Sequence, residues 1–551
     1  MRQSIYNTFV RAREQLLAAR GTHGHWEGEL SSSALSTATA VIALALVDRA
    51  QHTALIRRGL DWLRAHANPD GGWGDTVLSK SNISTTTLAC AAFSLLGETA
   101  PAAESWLEKH HSGNLAQAIL NRYGNDRTFS APILAACALA GRCHWKDVPP
   151  LPFELAVLPP HLFKWLRLPV VSYALPALIA IGQVRHHHLP RHSWLRDHAR
   201  QASLRVLEKI QPASGGFLEA IPLTSFVAMA LAAMGLAHHP VAERCVKFLA
   251  NAARPDGSWP IDVNLATWVT TLAVNALGDS LPVSERAPIR DWLIAQQHSQ
   301  SHPYTNAPPG GWAWTDLPGG VPDADDTAGA LLALKLLGTP NDSAGIVAGI
   351  RWLCNLQNRD GGIPTFCKGW GRLPFDRSSP DLTAHMLRAL AAWPLDRRAA
   401  RARRRALAYL ARTQRPDGAW SPLWFGNEHC RDEENLTYGT ATVLRGLPPG
   451  RTRNRATHWL LAAQNDDGSW GGGTRTRPSI EETALAICAL AGTEAAQKGA
   501  AWLVRATDEG RRFPPAPIGL YFAKLWYYEK LYPLIFTVAA LKQVLQHSPQ
   551  P

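Results

Sequence analysis

Cysteine is scarce and scattered in this 551-residue sequence. Its eight residues, Cys90, Cys137, Cys143, Cys245, Cys354, Cys367, Cys430 and Cys488, include no Cys-x-x-Cys pair. That excludes a zinc ribbon or a disulfide framework and fits reduced thiols in a cytosolic setting. No Asp-Asp-x-x-Asp occurs, which disfavours chemistry that ionises a metal-clustered diphosphate. No apolar run is long enough to cross a bilayer: the smoothest, Leu168 to Val184, contains Pro169 and Pro176. The chain therefore reads as non-transmembrane, though able to lie on a membrane. Met1-Arg2-Gln3-Ser4 leads into an amphipathic helix rather than a signal peptide. Acid is outnumbered by base, 44 residues to 56, for a net charge of +12. The excess does not read as a nucleic-acid footprint, because no RRM, KH or zinc-finger pattern accompanies it. Its densest run, Arg397 to Arg405, reads first as a solvated helix face and second as a contact for anionic lipid.

Tryptophan is abundant instead, with 21 against 10 Tyr and 14 Phe. Much of it sits in one restated phrase. Asn68-Pro-Asp-Gly-Gly-Trp73, Arg254-Pro-Asp-Gly-Ser-Trp259, Pro309-Gly-Gly-Trp312, Gln357-Asn-Arg-Asp-Gly-Gly362, Gln414-Arg-Pro-Asp-Gly-Ala-Trp420 and Gln464-Asn-Asp-Asp-Gly-Ser-Trp470 are its copies. Gly24-His25-Trp26 and Gln211 to Phe217 read as degenerate members. Each phrase ends one helix in a tight turn, where Gly supplies positive φ and Asp bonds the local backbone. An apolar helix follows. The Gln is expected to bond backbone at the end of one helix while the Trp covers the start of the next. Two helices per unit of about 50 residues should close into toroids of inner and outer helices. The fold class is all-α.

The stretch Pro322-Asp323-Ala324-Asp325-Asp326-Thr327-Ala328-Gly329 puts three carboxylates within four positions, just before an apolar run. Like charges this close cannot all ionise cheaply, so at least one carboxyl should hold its proton near neutral pH. A carboxylic acid kept protonated in an apolar setting is a Brønsted acid. The plain alternative is helix capping by Asp323, with the others complementing the dipole. Downstream, Asp381 and His385 in Ser379-Pro-Asp-Leu-Thr-Ala-His385 lie at i, i+4, so Asp381 can orient or charge the imidazole.

Repeated Gln…Gly-x-Trp turns together with Asp-x-Asp-Asp-Thr-Ala resemble the squalene-hopene cyclase-like class II terpene cyclases, over nearly the whole chain. The resemblance implies two α/α-barrel domains with a large apolar cavity between them. One barrel is inserted near the N-terminus of the other, here placed at 21–285, with 1–20 joining 286–551 as the catalytic domain. It implies protonation of an alkene or epoxide of a linear polyprenoid, squalene or a related triterpenoid, followed by cationic polycyclisation. Asp325 would deliver the proton, with Asp323 and Asp326 holding its geometry and taking part in returning the proton. His385 would stabilise the carboxylate left behind, and Tyr438 would touch the acid cluster through its hydroxyl. Aromatic faces stabilise a carbocation without quenching it. For that role the resemblance offers Trp268, Trp312 and the C-terminal segment with Tyr521, Phe522, Trp526, Tyr528 and Tyr532. Helical spacing would turn several of these toward related faces.

The sequence departs from the family pattern where a Gln-Pro-Pro-Trp segment is usual; Gly216 to Phe226 stands there instead. Glu219, Thr224 or Ser225 could end the reaction, and none is assigned. Leu155 to Val184, followed by the basic Arg185-His-His-His188, resembles the region where relatives dip into a bilayer. This implies monotopic or peripheral contact at the cytoplasmic face. No cofactor is expected, Mg²⁺ entering only with a diphosphate substrate. No metal site and no nucleic-acid partner are expected, and a homodimer is compatible with the sequence. Two other readings stand: a class II cyclase of a prenyl diphosphate such as geranylgeranyl diphosphate, and a non-catalytic or glycan-acting α/α toroid.

Overall fold

A computed structural model describes residues 1–547 except 112, 160–161, 163–173, 191–193, 304, 367–374 and 395; for Tyr521 it describes the backbone alone. Helices dominate. The described strands are the two-residue pair Ser32–Ser33 and Trp259–Pro260, antiparallel with Ser33 opposite Trp259.

Two closed rings of inner helices organise the chain. In the first, Ala34–Asp48, Ile83–Leu95, Arg127–Leu139, Leu175–His188 and Ile221–Ala233 each pack on the next, and the last returns to the first. In the second, Ala266–Leu277, Ala324–Leu336, Pro380–Ala392, Leu436–Gly446, Ile480–Ala489 and Tyr532–His547 do the same. Outer helices such as Ala344–Leu356, Arg397–Thr413 and Glu494–Ala506 back the second ring, and Arg2–Ala18 completes it against Tyr532–His547. The inner helices are apolar all round, as helices packed on both faces must be.

The repeated phrase is a hydrogen-bonded clamp. Gln414 Nε2 donates to Gly418 O in its own turn (2.9 Å) and to Thr452 O in the next outer helix (3.0 Å). Gln357 and Gln464 repeat the pattern on Gly361 and Ala402, and on Gly468 and Ala495. The tryptophan points backward, not forward. Trp420 Nε1 donates to Leu410 O (3.1 Å) and Trp470 Nε1 to Leu460 O (2.8 Å), satisfying a carbonyl of the preceding helix. The next inner helix is reached through the backbone instead, Trp420 N–H donating to Thr440 Oγ1 and Trp470 N–H to Thr483 Oγ1. Gly418, at φ +103°, shows why glycine is needed: a Cβ there would lie 2.7 Å from Arg455 O.

The same clamp reveals the insertion. Trp26, in a phrase that looks degenerate, donates its indole N–H to Leu16 O and its backbone N–H to Thr270 Oγ1, 244 residues on (3.0 Å). Trp259 N–H donates back to Thr37 Oγ1. Trp26 thus joins the first helix of the chain to the second ring, and Trp259 closes the first ring on itself. The change of ring therefore falls before Ala266, whereas the repeat spacing sets it at 285. Spacing marks turns; it does not say which helix each turn serves.

Candidate active site

The three motif carboxylates sit at the N-terminus of the inner helix Ala324–Leu336. Asp323 caps it, Oδ1 accepting the N–H groups of Asp325 (2.8 Å) and Asp326 (2.9 Å). The capping role and the chemical role thus coexist in different residues. Burial pushes the Asp323 carboxyl up to about 7, even though hydrogen bonds from the Asp326 carboxyl and from backbone N–H groups pull it down. Asp326 is held well above the usual carboxylate range, first by burial and then by the negative charge of Asp323. Its Oδ1 is buried without a partner. The Asp323–Asp326 pair therefore retains a proton that neither surrenders readily.

Asp325 points the other way. Its Oδ1 lies 2.5 Å from His385 Nδ1, the two side chains being 19% and 10% exposed. His385 comes from the neighbouring inner helix Pro380–Ala392, and the edge of the ring pair it forms with Trp268 has centroids 6.3 Å apart. Asp381 does not orient this imidazole. It accepts the hydroxyl of Ser379 and the N–H of Leu423 instead, and burial pushes it up to about 6. Four residues along a helix bring two side chains to one face, but Asp381 at the second position turns to the open helix end. Tyr438, capped into place by Asn435, lies tilted against Phe425 with ring centroids 4.4 Å apart. Burial holds its phenol protonated, and the charges of Asp325 and Asp381 add to that. Among the described residues its hydroxyl makes no hydrogen bond to the cluster.

The cluster opens onto a cavity of about 300 Å³ between the two rings. Asp323, Asp325, Asp326 and Trp268 line it with Trp314, Phe366, Phe375, Trp424, Phe425 and Tyr527. Phe375 and Trp424 meet edge to face (5.4 Å, 66°), so that their π faces differ in direction. Of the aromatic residues expected there, Trp268 is in the wall. Phe522 packs behind it, edge-on to Phe375 (4.8 Å) and Trp424 (5.0 Å). Tyr532 is one layer back, its hydroxyl accepting from Trp268 Nε1 (3.0 Å) and lying 3.3 Å from that of Tyr527.

Three expectations fail. Trp312 is fully buried and donates to Leu293 O, so it is a repeat clamp. Trp526 faces a separate polar crevice, and its N–H donates to Asp75 Oδ2. Tyr528 is half-buried, outside the cavity lining, with its N–H on Ser31 Oγ. The cause is common to the last two: beyond a single 3₁₀ turn at Tyr521–Ala523, the segment up to Tyr532 is irregular, so helical spacing does not apply. The side chain of Tyr521 lies outside the described residues.

The residues that sequence reasoning missed share a position. Trp314, Phe366 and Trp424 follow a repeat turn by a few residues and precede an inner helix. That connection crosses the mouth of the ring, a signal the repeat itself carries. Elsewhere, Thr224 is a clamp threonine accepting Phe217 N–H, and Ser225 and Glu219 are buried away from the cavity wall. His186 pairs with Asp197 and His188 stacks on Trp145. Among the described residues no group of three or more His, Cys, Asp or Glu is arranged to hold a metal ion.

The squalene-hopene cyclase C-terminal domain model matches residues 265–545, and the N-terminal domain model matches 9–174. The chain belongs to the squalene-hopene cyclase family of class II terpene cyclases. It is 27% identical over 702 residues to the terpene cyclase-glycosyl transferase fusion protein fsoA of Humicola fuscoatra, covering all of this chain and 50% of that protein. It is 24% identical over 547 residues to a probable squalene–hopene cyclase of Sinorhizobium fredii, covering 84% of this chain and 81% of that one. The chain thus spans half the length of the fusion protein. Among solved structures, ent-copalyl diphosphate synthase from Streptomyces platensis superposes with a TM-score of 0.54 at 20% identity, over 98% of this chain and 99% of that one. That likeness speaks to the all-α double ring. The family acts on hydrophobic polyprenoid substrates.

Proposed function

We propose that this chain cyclises a linear, non-phosphorylated polyprenoid, squalene or a related triterpenoid, with Asp325 as the acid that starts the reaction. The observation that carries this is a half-buried carboxyl in 2.5 Å contact with a histidine and open to an aromatic cavity. Proton transfer breaks the Asp325 O–H bond; the alkene π pair forms the new C–H bond, leaving a carbocation. His385 stabilises the new carboxylate as its charge appears, and a dry wall keeps water from the cation. Trp268, Trp424 and Phe375 present π faces or edges to the positive charge as it migrates. The described lining contributes no Lys, Arg or His side chain, so nothing described there would offset the charge of a lodged diphosphate. The test is incubation with squalene and, separately, with geranylgeranyl diphosphate. The native protein should convert the first, and Asp325→Asn should convert neither; conversion of the diphosphate alone would overturn the substrate assignment.

Peripheral membrane contact at the cytoplasmic face is part of the same proposal, since the substrate is insoluble in water. Within the apolar stretch 155–184, residues 160–161 and 163–173 lie outside the described residues. Around it, Val157, Leu158, Leu189, Trp194 and Leu195 are exposed, Trp194 to 72%. No described helix is long and apolar enough to cross a membrane. Flotation with anionic vesicles should carry the protein upward, and Trp194→Ser with Leu195→Ser should reduce that; sedimentation of both proteins alike would count against the contact.

A further inference from the structure

One polar group in the cavity wall has no part in the chemistry above. Asp262 stands among Leu218, Ala220, Pro222, Ile261 and Trp314, in the two-residue bridge that pairs Ala220 with Asp262. Its Oδ2 accepts Trp314 Nε1–H (3.2 Å) and its Oδ1 accepts Val263 N–H (2.8 Å). No Lys, Arg or His pairs with it among the described residues. The charge that acts on it is that of another acid, Glu219, whose backbone carbonyl accepts Val263 N–H. Burial, reinforced by Glu219, raises Asp262 well above the usual carboxylate range although its two N–H bonds pull it down, and no described cation faces it to favour the ionised form. A neutral carboxylic acid has one O–H to give. Both its oxygens already accept an N–H, and no described residue accepts the O–H. A donor without an acceptor in an apolar wall is costly unless a ligand supplies one.

We propose that Asp262 donates a hydrogen bond to a neutral oxygen of the substrate, so that the polyprenoid this cavity prefers carries a hydroxyl or similar oxygen function. This rests on the cyclase reading. The alkene to be protonated lies at Asp325 and the oxygen at Asp262, both in the wall of the same cavity. A pure hydrocarbon would cover Asp262 and leave its O–H unmet. The bond does not alter the electron balance of cyclisation; it sets which chain sits in the cavity and in which direction.

The experiment compares geranylgeraniol with the hydrocarbon in which CH₃ replaces its CH₂OH, on the native protein, Asp262→Leu and Asp262→Asn. Binding is read from quenching of tryptophan fluorescence and turnover from product mass. The native protein should bind the alcohol about tenfold or more tightly than the hydrocarbon, the usual scale of one buried donor left unpaired. Asp262→Leu should bring the two within about twofold by improving the hydrocarbon, and Asp262→Asn, whose amide still donates, should retain part of the preference. A native preference near unity, or one that Asp262→Leu leaves intact, overturns the proposal. Because binding is measured apart from turnover, absence of any cyclised product would count against the cyclase reading and not against the role of Asp262.

Discussion

At the scale of single residues, the site separates tasks that one spacing pattern had blurred. Asp323 caps a helix, Asp326 keeps a proton company with it, and Asp325 alone reaches His385. His385 should matter through charge. His385→Ala is expected to lower kcat by about 10²–10⁴, the range for a lost proton-transfer partner, with KM changed far less. An equal loss in KM with kcat intact would mean that the imidazole only shapes the cavity. The three carboxylates were legible in the sequence because they fall within four consecutive positions. The role of His385 was legible only through resemblance, since its partner is 60 residues away. Asp381 was misread: shared helix face is a statement about direction, and an open helix end offered the carboxyl nearer donors.

At the scale of elements, the Gln…Gly-x-Trp turn is the unit that builds both rings. Each indole satisfies a carbonyl that the end of a helix would otherwise leave open. Trp420→Phe keeps most of the packing and loses the bond to Leu410 O. It should cost about 1 kcal/mol in chemical denaturation, while Trp420→Ala should cost about 3–5 kcal/mol. Equal costs would show that the indole N–H contributes nothing. Trp312 could have been placed correctly from sequence, because it ends a repeat phrase as Trp420 does. Trp314, Phe366 and Trp424 could not be gathered into one wall in that way. They lie about fifty residues apart and meet only when three turns are brought round one ring.

At the scale of the whole molecule, the insertion and the buried acids are linked. The second ring closes onto the first helix of the chain through Trp26 and Thr270, and the two rings enclose an interior with many carboxyls raised above their usual range. Outside the catalytic cluster, burial pushes Glu481 up to about 8, the charge of Glu482 adding to it, and pushes Glu428 and Glu529 up to about 7. A carboxyl whose folded value is raised above about 4.3 binds its proton more tightly in the folded state. Its contribution is complete below that value and is lost as pH climbs through the folded value. Thermal stability should therefore fall between pH 6.5 and 8 more steeply in the native protein than in Glu481→Gln, by up to about 1.4 kcal/mol per pH unit. Parallel curves would show that Glu481 ionises as freely folded as unfolded. Rings of inner and outer helices were legible from the repeat, and that there are two of them came from the resemblance. The seam was not, because only coordinates show that Trp26 serves a helix on the far side of an entire inserted ring.

The central claim is that a solvent-exchangeable carboxyl proton begins the reaction by adding to carbon. Cyclisation of squalene in deuterium oxide tests this directly. The cyclised product from the native protein should carry one deuterium fixed on carbon, and Asp325→Asn should give no product. A cyclised product free of deuterium, or one formed equally by Asp325→Asn, would contradict it.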